Sequence, residues 1–301
     1  MSLAPILLFT YNRPAHTSQT LEALFNNKLS KDSELFIFSD GYKNEFDKIN
    51  VQEVRKLIHS IDRFNSFKKI NVIENKQNVG LANNIIAGVT QIVNKYGKVI
   101  VLEDDLITSP WFLTFMNEAL DKFESDERIG HIHGFCYPID NLPDAFLIKW
   151  VGSWGWATWK RSWQLFNADG NMLLKEIQER NLSREFDFNG NYPYTKMLHR
   201  QVNGVNDSWA IRWNATLFLN NLLSVNAGKS LVQNIGFDGT GIHSGKDKIH
   251  YNSLYKYRLN TDIPIISENK SARKAFGKYY NKTNSFWAKA KRRISRYIRG
   301  K

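Results

Sequence analysis

The stretch Lys98-Val-Ile-Val-Leu-Glu103-Asp104-Asp105-Leu106 drives an apolar run straight into three consecutive carboxylates. Three anions side by side repel one another and resist desolvation, so a fold keeps them only where a cation, a set of donors or open water compensates. A hard divalent metal is the obvious compensator. Mg²⁺ or Mn²⁺ takes oxygen ligands and, with one or two protein carboxylates, fills its octahedron with waters and substrate phosphates. The bland alternative is an acidic turn before a helix. On that reading Thr108 or Ser109 is the N-cap, Pro110 takes the first helical position, and acids are mildly favoured near the helix N-terminus.

Outward from this stretch the chain alternates. Pro5–Thr10 reads as a first strand, and Leu21, Leu24 and Phe25 give His16–Phe25 a helical spacing. There follow a strand over Glu34–Asp40, a helix over about Val51–Ile61, a strand over Lys69–Glu74 and a helix over about Ala82–Tyr96. Val99–Leu102 is the next strand, and Pro110–Glu124 the next helix. Four strands alternating with helices predict an α/β fold, a mostly parallel sheet with helices on both faces. Ligands of such sheets bind at the carboxyl ends of the strands. The turn Tyr11-Asn12-Arg13-Pro14, Asp40, the turn Gln77-Asn78-Val79-Gly80 and Glu103-Asp104-Asp105 are all expected on that edge. Beyond Gly130 the alternation stops. The reading there is a strand near Ile129–Phe135, another near Phe146–Val151, a helix from about Lys160, a helix near Ser208–Leu222 and a strand near Leu231–Asn234. Gly236–Gly245, with four glycines in ten residues, reads as a mobile loop.

The bulk numbers fit one elaborated domain. The chain has 301 residues, of which 42% are apolar and 13% aromatic, ample for a core. No run of 18 apolar residues occurs, and Met1-Ser-Leu-Ala-Pro5 lacks the basic start and apolar stretch of a secretion signal, so neither a membrane span nor export is expected. Cys136 stands alone, which forbids an internal disulfide and suits a reducing cytoplasm. The net charge of +12 sits entirely at one end: Asn269–Lys301 holds twelve Lys and Arg and no acid, leaving 29 bases against 29 acids elsewhere. A neutral body with a cationic tail argues against specific nucleic-acid binding.

The order of a first strand ending in Thr10-Tyr11-Asn12-Arg13-Pro14, a strand ending in Asp40, then Asn78-Val-Gly80-Leu-Ala82-Asn83 and Glu103-Asp104-Asp105 resembles nucleotide-sugar glycosyltransferases of the GT-A, Rossmann-like fold. Within that fold the chain is similar to the inverting N-acetylglucosaminyltransferase that begins complex N-glycans. It is also similar to bacterial sugar transferases carrying Trp154-Gly-Trp-Ala-Thr-Trp159. The resemblance covers roughly residues 4–245. With the charge break at Asn269, the chain is read as a domain over 1–268, with a nucleotide-binding half 1–125 and an acceptor half 126–268, followed by a tail 269–301 that the resemblance does not cover. The resemblance implies a nucleotide-sugar donor, with UDP as carrier, and Mn²⁺ or Mg²⁺ as cofactor. Asp105 would be the metal ligand, with Glu103 and Asp104 supporting ribose, water or sugar. Asp40 would accept hydrogen bonds from base or ribose, and Arg13, with Thr10, Tyr11 and Asn12, would answer the pyrophosphate or base. Asn78, Gly80 and Asn83 would lie under the donor, Gly80 letting the backbone come close.

The plainer alternatives stand beside these: a solvated turn for Arg13, an ordinary Asp-Gly turn for Asp40, helix capping for Asn78. Inverting transfer also needs a base near the acceptor hydroxyl. Asp207, in Asn206-Asp207-Ser-Trp209, resembles the family's catalytic aspartate, and N-capping is its alternative; Asp169, Asp187 and Asp238 are rivals. His243 is implied as a group reaching diphosphate or metal when the glycine-rich loop closes. His131 and His133 share a strand face and are read as core. Of the tryptophans, Trp154 and Trp156, with Gly155, are assigned to the donor or acceptor pocket, and Trp159 and Trp163 to packing.

In the tail, Phe286, Trp287, Ala290, Ile294, Tyr297 and Ile298 form one helical stripe among basic residues. This predicts an amphipathic segment, residues 284–301, that holds the protein on an anionic membrane surface at the cytoplasmic face, beside a glycan or lipid-linked acceptor of surface polysaccharide. Two other classes stay open. A nucleotidyltransferase would carry a glycine-rich first turn, and Phe9–Arg13 has no glycine; a carbohydrate-binding protein without catalysis would use the tryptophans alone.

Overall fold

The computed structural model describes residues 2–61, 66–237 and 252–284. The first half alternates as expected: β1 (Ile6–Thr10), α1 (Pro14–Phe25), β2 (Glu34–Ser39), α2 (Glu45–Ser60), β3 (Lys69–Glu74), α3 (Leu81–Tyr96), β4 (Lys98–Glu103), β5 (Leu106–Thr108) and α4 (Phe112–Lys122). The second half is denser than its sequence suggested: β6 (Ile129–His133), β7 (Ala145–Ile148), β8 (Trp156–Trp159), α5 (Lys160–Trp163), α6 (Gly170–Glu179), α7 (Ser183–Phe186), α8 (Tyr194–Val202), α9 (Trp209–Leu219), β9 (Leu223–Ala227), β10 (Val232–Asn234) and α10 (Lys270–Asn284).

Among the described residues the main sheet has eight strands in the order β3-β2-β1-β4-β8-β6-β9-β7. β1, β2, β3 and β4 pair in parallel, β6 and β9 run the same way, and β8 and β7 run against them. β5 and β10 form a separate antiparallel pair beside the end of β4. Between their ends β1 and β4 are apolar and buried, as strands covered on both faces must be; the polar residues are Thr10, Lys98 and the half-buried Glu103 at the termini.

Local chemistry explains where boundaries moved. α2 begins six residues before the expected Val51, because Asn44 caps it by accepting from Asp47 N, and Glu45 and Asp47 favour its first turn. Its first turns face water, with Phe46 and Ile49 exposed, so apolar spacing could not reveal them. α4 starts at Phe112 and not at Pro110. Ser109 turns the chain ahead of the helix: its N–H donates to Leu231 O, its hydroxyl donates to Tyr255 O, and its Oγ accepts from Trp111 N, one residue before α4.

β8 was read as irregular because all four of its residues are buried, between β4 and β6, and no polar residue alternates. β9 hides for the opposite reason: Ser224 and Asn226 are polar yet buried. α10 moves the expected boundary at residue 268. Ala272, Phe276 and Tyr280 pack with Phe146, Trp150 and Tyr194, so the packed core continues past residue 268 through α10. Of the tail expected to bind membrane, residues 285–301 lie outside the described residues.

Candidate active site

β1, β2, β3, β4, β6 and β9 all point their carboxyl ends at one edge, and the candidate site is built there. β4 ends in Glu103, and Asp104 and Asp105 follow before β5. Burial pushes the Glu103 carboxyl up to about 8, reinforced by the charges of Asp105 and Asp104 and opposed by Arg13. Burial, then the charge of Asp105, pushes Asp104 up to about 7. Burial also raises Asp105, and Arg13 works against that rise. The countercharge is direct: Arg13 Nη1 donates to Asp105 Oδ2 at 3.0 Å, with both side chains 17% exposed. Two further bonds hold the turn after β4: Tyr11 N, in the turn after β1, donates to Asp104 Oδ2 at 3.2 Å, and Thr20 Oγ1, on α1, donates to the Asp104 carbonyl at 2.8 Å. The chain after β10 closes on the same spot. Ile235 N donates to the Asp105 carbonyl, and a side chain on Gly236 would collide with Asp105 Oδ2.

The remaining residues of the first turn face elsewhere. Tyr11 donates its hydroxyl to Asp47 Oδ2 and Asn12 its amide to Asp47 Oδ1, at 2.8 and 2.7 Å. Burial, then the bond to Asp47, raises the Tyr11 phenol to about 12. Thr10 is buried and its hydroxyl finds no protein partner. Tyr11 and Asn12 therefore hold α2 against the site. Asp47, which sequence reading missed, was detectable as the third residue after the capping Asn44.

Asp40 is 4% exposed and its carboxylate accepts from five donors: Gly41 N, Asn75 Nδ2 and Val79 N at Oδ1, Asn78 Nδ2 and Gly80 N at Oδ2. A carboxylate offers about four lone-pair sites, so this one is spent on the protein. Asp40, expected to receive bonds from base or ribose, here clamps the turn before α3. Gly80, at φ +80°, turns that peptide toward Asp40, and any side chain on Gly41 would collide with Gln77. Asn78 is no helix cap, since its amide bridges Asp40 and the Gly41 carbonyl. Asn83 stays exposed on the first turn of α3, donating to Val79 O. Arg55, also missed, ties the Asn75 carbonyl to this clamp at 2.7 Å.

On the second half of the edge, Trp154 stands partly exposed between Phe135 and Phe237, with ring centroids at 4.6 and 5.4 Å. Trp156 does not join it. The Trp156 ring is fully buried between His131 and Trp209, because it belongs to β8 and faces the core under α9. Gly155, at φ +68°, lies against Val232 and Phe112, so its role is packing as well.

Asp207 precedes α9 without capping it; Ser208 is the cap, accepting from Ile211 N. Asp207 is left 65% exposed, paired with Arg212 Nη2 at 3.2 Å. Among its rivals, Asp169 caps α6 and Asp187 accepts from Thr195 N. Asp238 and His243 lie outside the described residues. His131 is core as expected. Its Nδ1 accepts from Trp213 Nε1, so Nε2 carries the proton donated to Gly152 O.

Among the described residues no group of three or more His, Cys, Asp and Glu is arranged to hold a metal ion. The donor chemistry at β4 nevertheless fits a hard cation bound by one or two carboxylates, since crowded, partly buried acids with raised proton affinity are what such a cation relieves.

An eight-stranded, mostly parallel sheet with an acidic turn at the end of β4 and an elaborated second half defines a GT-A fold. The family model described as "Glycosyl transferase family 2" matches residues 6–177, more than half of the chain, and the chain belongs to that family. Among solved structures, residues 1–349 of TarS from S. aureus match with 11% identity and a TM-score of 0.48, over 76% of this chain and 59% of that one. A second TarS structure matches at 11% identity and 0.43, over 76% of this chain and 36% of that one. TarS 1–349 in complex with UDP matches at 12% and 0.34, over 47% of this chain and 38% of that one. This chain thus spans less than two thirds of the TarS structures it resembles. No curated protein matches it significantly.

Proposed function

We propose that this glycosyltransferase is metal-dependent and inverting, and that it moves a sugar from a nucleotide diphosphate sugar, with UDP as carrier, to a hydroxyl of a glycan or lipid-linked acceptor in bacterial surface polysaccharide synthesis. The observation that carries the reading is the run of three carboxylates at the end of β4, Asp104 buried and Glu103 and Asp105 half-buried, facing Arg13. Asp105 is the proposed ligand of Mn²⁺ or Mg²⁺, and His243 a second. A bound cation would neutralise the charge that develops on the departing diphosphate. Arg13 lies beside the same charge and would turn from Asp105 to a phosphate oxygen. Glu103 and Asp104 would orient water or hydroxyls around the ligand. Asp207, exposed at the start of α9, is the proposed base that takes the proton of the acceptor hydroxyl, and Arg212 orients it. One base suffices, because a diphosphate, unlike an alkoxide, is a leaving group that needs no proton from the protein.

Calorimetry of UDP binding with and without Mn²⁺ tests the donor side. Tighter binding with metal is expected, and Asp105→Ala should abolish the difference; an unchanged difference moves the metal site elsewhere. Asp207→Asn should lower transfer by about a hundredfold or more while UDP affinity stays. A parallel loss of both would make Asp207 a donor-side or structural residue.

A further inference from the structure

Beside the acidic turn lies a cavity of about 220 Å³ that the donor-side reading does not use. Its walls are aromatic, formed by Phe135, Tyr137, Trp150, Trp154, Tyr192 and Tyr194. Its floor is His133, at the carboxyl end of β6, with Gly152 against the imidazole ring. The ring is 1% exposed, and neither of its nitrogens has a hydrogen-bond partner. Burial, then neighbouring His131, holds it well below the ordinary histidine range, so it is neutral and offers one donor and one acceptor. Asn226, next to it across the strand pair, faces the ring and works against that fall, and its Oδ1 has no other partner. A buried polar group without a well-made hydrogen bond is unfavourable and favours a ligand that supplies one. Tyr194, by contrast, is spent: its hydroxyl accepts from Trp150 Nε1 at 2.6 Å and pairs with Tyr280.

We infer that this cavity is a sugar-ring subsite, in which one pyranose of the acceptor stacks on the tryptophans and bonds His133 through a hydroxyl. The class follows from the walls and the floor. A pyranose has an apolar C–H face that indoles cover and a polar rim that needs a few placed donors and acceptors. The volume is below the ~300–1,000 Å³ of drug-sized pockets, which suits a single ring. Position separates acceptor from donor. The cavity opens on the second half of the edge, between Trp154 and the first turn of α9, where Ala210 and Ile211 follow Asp207. Trp154 touches Phe237, one residue from the Gly236 that packs on Asp105, so the cavity borders the acidic turn without including it. This inference rests on the glycosyltransferase reading for its role, but its binding test does not need a nucleotide.

A panel of methyl pyranosides titrated against the full chain without nucleotide, followed by tryptophan fluorescence and saturation-transfer NMR, tests it. At least one glycoside is expected to bind, and His133→Phe and Trp154→Leu should each weaken it about tenfold or more. Near-ultraviolet circular dichroism checks that each variant is folded, and Trp154→Leu alone carries the test if His133→Phe is not. Absence of binding by every glycoside, or equal binding by the folded variants, overturns the subsite. Weakened binding of a UDP-sugar relative to UDP, with glycosides unaffected, overturns the acceptor assignment in favour of the donor sugar. Failure of UDP to bind at all strikes the transferase reading and leaves the glycoside result standing.

Discussion

Glu103 and Asp104 hold their protons more tightly in the fold than in the unfolded chain, where their ordinary values are 4.5 and 3.8. The stability that comes from keeping them neutral is full below about pH 4 and drains away as pH rises through about 7 and about 8. In chelator-treated protein the thermal midpoint should therefore fall between pH 5 and pH 8 by more than in Glu103→Gln, and Mn²⁺ added near pH 8 should restore much of it. Scanning calorimetry across that range decides; a pH dependence identical in the variant would remove Glu103 as its source. Asp40 behaves differently, because its charge is met by five donors. Asp40→Asn replaces one accepting oxygen by an amide that points hydrogens at N–H groups, and should cost about 2–4 kcal/mol in urea unfolding. A cost near zero would mean the turn is held by other bonds. The acids at positions 103–105 were legible because three carboxylates after an apolar run are chemically conspicuous. The role of Asp40 was not, since nothing in Ser-Asp-Gly says that Asn75, Asn78, Val79 and Gly80 will converge on it.

At the level of elements, what the chain announces depends on how each segment is buried. β1 to β4 and the helices between them have apolar runs separated by turns, and their positions were readable to within a few residues apart from the water-facing start of α2. β8 escaped because its Trp-Ala-Thr-Trp run is covered on both faces, and β9 because Ser224 and Asn226 mimic an exposed face. α10 escaped because five Lys and Arg within Lys270–Asn284 overshadow the spacing of Ala272, Phe276 and Tyr280. That helix is part of the core: the Phe276 ring packs against those of Trp150 and Phe146. Phe276→Ala should destabilise the protein by about 3–5 kcal/mol, whereas truncation after Asn284 should change denaturant stability little. Equal effects would place the packing boundary beyond residue 284.

For the molecule as a whole, charge is distributed along one side of this last helix. Lys270, Lys274, Lys278 and Lys282 are exposed and spaced by four, so they share a face. Among the described residues no helix is long and apolar enough to cross a membrane. We propose that this lysine face adds to attachment of the tail to an anionic surface, at about 1 kcal/mol per lysine. Co-sedimentation with phosphatidylglycerol vesicles should weaken progressively as the four lysines are changed to glutamine and further on deletion of 285–301, and should fade as salt rises. Binding indifferent to both changes and to salt would dismiss the membrane handle.

The clamp around Asp40 also constrains how the protein can be recombined with its relatives. Its acceptor comes from the end of β2, and four of its five donors lie 35–40 positions later, between β3 and α3. A chimera whose crossover falls between Gly41 and Asn75 would take the two from different parents, and so inherit a lock without its key. Crossovers placed after Gly80 would transplant both together.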